Sequence, residues 1–132
     1  MVQTPFDEQR DFTRVSIAFP ARLTLAGGRT IDGQVHDLCV RGALYTGDVE
    51  LSEGTPCGLE LYERAGEDVP IVRANAQTGR CTPFGTAIEF LELDLKSFGT
   101  LKRVLAAHCS DPARIEREFE AWVDFEEPNE SD

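Results

Sequence analysis

The sequence predicts a mainly β domain, an antiparallel barrel or sandwich followed by C-terminal helices, on three observations. The first long apolar stretch alternates with a period of two, as in a half-buried strand. Short strand-like runs then recur with Gly and Pro punctuation between them. After residue 93 the apolar spacing changes to three and four, the spacing of an amphipathic helix.

Taken in order, Val15, Ile17, Phe19, Ala21, Leu23 and Leu25 alternate with more polar neighbours, and Pro20 within the run predicts an edge position or a bulge. Gly27-Gly28 predicts a hairpin turn into a second strand, Thr30 to Leu38, with a third short one at Val40 to Tyr45. The stretch DLCVRG, residues 37 to 42, breaks the pattern where the backbone is expected to bend. Gly54-Thr55-Pro56 marks a turn before Cys57 to Glu63, and the last two strands are Val69 to Arg80 and Thr86 to Leu91. Leu95, Phe98, Leu101 and Leu105 predict a helix over Asp94 to His108. Ser110-Asp111-Pro112 is a helix start, a capping side chain before a proline, and Ile115, Phe119 and Trp122 form one face of the helix it opens. Packing of that face on the domain's own barrel is the favoured reading over docking of a partner, and Glu116, Glu118 and Glu120 are read as lying around the rest of the helix. The expected organisation is a flexible arginine-bearing loop over residues 1–14, strands over 15–93, a packed helix over 94–109, a second amphipathic helix over 110–125 and an acidic tail over 126–132.

The chain has 132 residues, enough for one domain with a core, and a net charge of −11. That charge argues against a general nucleic-acid or anionic-membrane binder, which needs a basic face. It is unevenly spread. Residues 1 to 45 carry five basic and five acidic side chains, residues 46 to 110 six against ten, and residues 111 to 132 two against nine. A local set of arginines in the first third therefore suits a compact anion and not a long polyanion. No run approaches the length of a membrane span and no leader pattern opens the chain, so the expected compartment is the cytosol, with no membrane insertion. Cys39, Cys57, Cys81 and Cys109 are scattered without metal-ligand spacing and are read as small buried or half-buried reduced thiols, with no metal site or disulfide. His36 and His108 lack a partner carboxylate or nucleophile at recognisable spacing, and no acid–base pair or nucleophile context points to catalysis, so the chain is read as a non-enzyme without catalytic residues.

The chemistry concentrates in RDFTR, residues 10 to 14, and in DLCVRG. Arg10 and Arg14 stand too far apart to clamp one oxygen but can grip different parts of one ligand, each offering a fork to phosphate and a flat face to a purine. Asp37 can accept from the N1–H and exocyclic amine of guanine, and Gly42 allows a close backbone approach. Together they would select a guanine nucleotide with accessible phosphates. The bland alternative is that the arginines form weak surface ion pairs with Asp7, Glu8 or Asp11. Arg41 either adds a phosphate contact or faces the other side of the barrel, and the second is favoured.

RxxxR followed by (D/N)xSxxG across a strand pair resembles the PilZ domain, a bacterial receptor for the second messenger cyclic di-GMP. Arg10 and Arg14 match the first motif, and Asp37 and Gly42 match the second, with Cys39 in place of the usual Ser. The likeness extends to about residue 108, and Phe84 to Phe90 looks like the family's late strand. The resemblance implies a six-stranded antiparallel barrel with a helix at its end, and no cofactor beyond the ligand cyclic di-GMP. It also implies a site formed by Arg10 and Arg14 on phosphate and guanine, with Asp37, Cys39 and Gly42 on the barrel face. A thiol is larger than a hydroxyl and a weaker hydrogen-bond partner, so weakened rather than abolished binding is expected. The implied role is a single-domain receptor or adaptor that signals to a protein partner. The alternative is a degenerate PilZ-like adaptor that binds no nucleotide and acts through protein contacts in pilus, motility or exopolysaccharide machinery.

Overall fold

A computed structural model describes residues 13–48 and 51–126, with side chains described as far as Glu120. Six strands, β1 (Phe19–Leu25), β2 (Thr30–Cys39), β3 (Gly42–Gly47), β4 (Pro56–Leu61), β5 (Val72–Thr82) and β6 (Gly85–Leu93), precede two helices, α1 (Leu95–Ala107) and α2 (Pro112–Glu126). All strand pairings are antiparallel, and the order β1-β2-β3-β6-β5-β4 closes on itself through β1 and β4. The expected six-stranded barrel with C-terminal helices is the observed fold, and closure decides between barrel and sandwich.

The alternation in the sequence becomes the inside and outside of this barrel. Ala21, Leu23, Val35, Leu59, Leu61, Val72, Ala74, Ala76, Ile88 and Phe90 point inward and are buried. Gly27 and Gly28, both at φ +92, make the β1–β2 turn in a backbone region that side chains with a Cβ rarely enter. Pro20 lies neither at an edge nor in a bulge, since it pairs in register with Gln34. Its carbonyl accepts the Tyr62 N–H at 2.8 Å just beyond the β1–β4 ladder, so the missing proline N–H falls where that ladder stops. Strand β5 starts at Val72, three residues later than expected, because Pro70 cannot donate to a ladder and Val69 stays exposed.

Helix α1 begins at Asp94, whose carboxylate accepts the Ser97 N–H at 2.7 Å, as an N-cap should. Ser97 in turn accepts the Arg73 N–H at 2.7 Å, fastening the helix to β5. Ile115 and Phe119 of α2 are buried in the core, and the Phe119 ring lies 4.8 Å from that of Phe98. That part of the apolar stripe is therefore core; the Trp122 side chain lies outside the described residues. Lys102 and Glu116 close the helix pair on the solvent side at 2.7 Å. No helix among the described residues is long and apolar enough to cross a membrane.

Candidate functional site

The irregular end of β2 shapes the candidate site. Between His36 and Cys39 the β2–β3 register slips, and Asp37 sits at φ 51, the one described non-glycine residue with positive φ. Asp and Asn tolerate this left-handed conformation better than other residues, which gives Asp37 a conformational role beside any ligand role. Such bulges re-aim side chains. Val40 and Arg41 then turn the chain so that Cys39 pairs with Gly42. The turn is anchored by the Phe90 N–H donating to the Arg41 carbonyl at 2.8 Å. The Arg41 guanidinium lies 3.9 Å from the Glu89 carboxylate, which also accepts from Gln77 at 2.9 Å. Arg41 is thus set against β6. At Gly42 a Cβ would run into the Ile88 carbonyl oxygen, so the close approach this glycine permits here is that of the neighbouring strand.

The second stretch is joined directly to the first. Val15 and Leu38 exchange both backbone hydrogen bonds at 2.8 Å, an isolated antiparallel bridge beyond the β1–β2 ladder. Ser16, Ile17 and Ala18 on one side oppose His36 and Asp37 on the other, so the extra residue bows out beside the bulge. Val15 is buried and Arg14 is exposed, which puts the Arg14 side chain on the outer face next to DLCVRG. Arg10 lies outside the described residues.

Glu118 of α2 holds the same segment, and sequence reasoning missed it by counting it with the solvated glutamates. Glu118 is only 7 % exposed. It accepts the Thr13 N–H at 3.0 and 2.9 Å, the Thr13 hydroxyl at 2.9 Å and Arg114 Nε at 3.1 Å. The available signal was its position: one residue before Phe119, three after Ile115 and four after Arg114, beside the apolar stripe and at ion-pair spacing.

Cys39 is wholly buried, and burial pushes its thiol up to about 11. The backbone N–H groups of Arg41 and Gly42 and the charge of Arg14 oppose that shift, while the charge of Glu118 adds to it. Both motif stretches and α2 therefore act electrostatically on this one sulfur. The folded state holds the thiol proton more tightly than the unfolded chain, whose pKa is near 9. This contribution to stability is complete below pH about 9 and is lost as pH rises toward about 11. The buried Cys57 thiol, also raised to about 11, acts in the same direction. Melting temperature should fall across this alkaline window, and Cys39→Ser should flatten the fall; a slope unchanged by the substitution would contradict the assignment.

A groove of about 550 Å³ on the β4–β5–β6 face is lined by Glu60, Arg73, Asn75, Glu92 and Asp94, and includes no motif residue. Three carboxylates against one guanidinium make it a poor match for a phosphate-bearing ligand. Among the described residues no three His, Cys, Asp or Glu side chains gather as a metal site. No protein-family model matches the chain, and no curated protein matches it.

Proposed function

We propose that the chain is a cytosolic cyclic di-GMP receptor that passes ligand binding to a protein partner. The observation that supports this most is the Val15–Leu38 bridge, because it brings Arg14 alongside the stretch containing Asp37, Cys39 and Gly42. Arg14 supplies charge to phosphate and a face to guanine, with Arg10 as the second cation. The Asp37 carboxylate accepts from the guanine edge. A ligand held between Arg14 and the Asp37 stretch covers part of this face and so changes the surface shown to a partner.

Calorimetric titration of the reduced protein with cyclic di-GMP, with cyclic di-AMP and GTP as controls, tests the reading. Selective saturable binding is expected. Arg14→Ala should weaken it roughly ten- to hundredfold, the worth of a charge-assisted contact. Asp37→Asn should keep the melting temperature, since Asn also tolerates positive φ, yet lose affinity for the guanine edge. Absence of heat and of thermal stabilisation at high ligand concentration would reject the receptor.

The complete burial of Cys39 favours one second reading, an adaptor that binds no nucleotide and works through protein contacts. A ligand can touch this thiol only after the covering atoms move. Unchanged affinity in both Arg10→Ala and Arg14→Ala would reject the arginine site, and a folded wild-type chain that binds no nucleotide would favour the adaptor.

A further inference from the structure

We propose that Glu118 is a positioning residue of this site: its carboxylate fastens the segment that carries Arg14, so that ligand affinity depends on the C-terminal helix. The inference rests on the receptor reading and adds to it a residue outside both arginine and aspartate motifs.

The argument starts from the strand ladder. Val15 directs both its N–H and its C=O at Leu38. In an extended run, residues two apart direct these groups the same way, so the Thr13 N–H faces the place where β2 would supply its next rung, Val40. The chain has by then turned toward β3, with Val40 buried and the Arg41 carbonyl taken by Phe90. The Glu118 oxygens replace that missing rung at 3.0 and 2.9 Å, and the hydroxyl of Thr13 adds a third bond.

Arg14 therefore has its backbone held on both sides, by Glu118 through Thr13 and by Leu38 through Val15. The Glu118 charge is balanced by Arg114 Nε at 3.1 Å, which limits its repulsion of an anionic ligand. The helix supplying these groups is itself anchored in the core by Ile115 and Phe119. A pre-positioned arginine spares the ligand the entropy of ordering it, and affinity rises accordingly.

The test measures amide hydrogen exchange at Thr13 without ligand and cyclic di-GMP affinity by calorimetry, both on the full chain well below its melting temperature. Glu118→Ala should speed Thr13 exchange and weaken affinity about tenfold, with stoichiometry unchanged. Glu118→Gln, which keeps an acceptor oxygen, should fall between Ala and wild type. Leu59→Ala, a core change on β4, should lower the melting temperature without altering affinity, which separates positioning from general destabilisation. If Glu118→Ala does not fold, Thr13→Ala removes the hydroxyl bond while leaving α2 intact, and should weaken affinity by a few fold. Unchanged Thr13 exchange in a folded Glu118→Ala overturns the fastening. Faster exchange with unchanged affinity overturns its role in the site, as does equal weakening by Leu59→Ala. A wild-type chain that binds no cyclic di-GMP fails the receptor reading and this role with it, and the ligand-free exchange then shows whether the fastening itself stands.

Discussion

Gly42→Ala should lower stability by about 3 kcal/mol, the upper end of what overpacking costs, and the melting temperature by roughly 10 °C. Gly42 pairs with Glu89 across the β3–β6 seam, and the added methyl would meet the Ile88 carbonyl oxygen. A flexible side chain could swing aside from such a contact. A backbone carbonyl inside a closed barrel can move only with its strand, which is why the upper figure applies. Gly58 provides the contrast: its Cβ would sit 3.8 Å from Thr24 Cβ and 3.9 Å from the Ala74 carbonyl, ordinary contact distances. Gly58→Ala should melt within about 2 °C of wild type. Equal melting temperatures for the two variants would mean that the β3–β6 approach is not as described. The pair also separates fold from ligand chemistry, because a ligand-facing glycine alone would cost affinity and leave the apo protein's melting temperature untouched.

Phe119→Ala should cost about 3–5 kcal/mol, as for other large aromatic truncations in a core. Phe119 is 2 % exposed and packs on Phe98 at 4.8 Å with the rings inclined at 57°. The cavity would open beside Phe98, between α1 and α2. Urea unfolding followed by circular dichroism gives the measurement, and a midpoint equal to wild type would return the stripe to the role of an exposed docking face. Because Glu118 is the adjacent residue, loosening α2 should also release Thr13.

The strands and helices were legible in the sequence because burial in a barrel has a period of two and burial of a helix a period near 3.6. The Asp94 cap and the glycine hairpin came with their own local chemistry. The bulge at Asp37 was visible only as a break in pattern, since its positive φ depends on where Val15 and β3 hold the chain. Pro20 misled because strand edges cannot be identified until the barrel is known to close. Glu118 was hidden for a different reason: its partner Thr13 lies 105 residues away, and periodicity says nothing about contacts of that range. For the site, the residue types of the two motifs could be read in advance. So could the burial of Cys39 as a small thiol; the setting of Arg41 against Glu89 could not, because it depends on how β6 lies beside the turn.

The Thr13–Glu118 fastening also gives the molecule a timetable. During synthesis the segment bearing Arg14 is made early, and its acceptor follows 105 residues later, an interval of about 5–20 s at ordinary elongation rates. A nascent chain can pair its strands and bridge Val15 to Leu38 before then, yet Thr13 lacks its Glu118 acceptor until α2 is made. Formation of the Thr13–Glu118 contact therefore reports that translation has passed the second helix, and a chain interrupted before it holds the arginine segment by the Val15–Leu38 bridge without that second fastening.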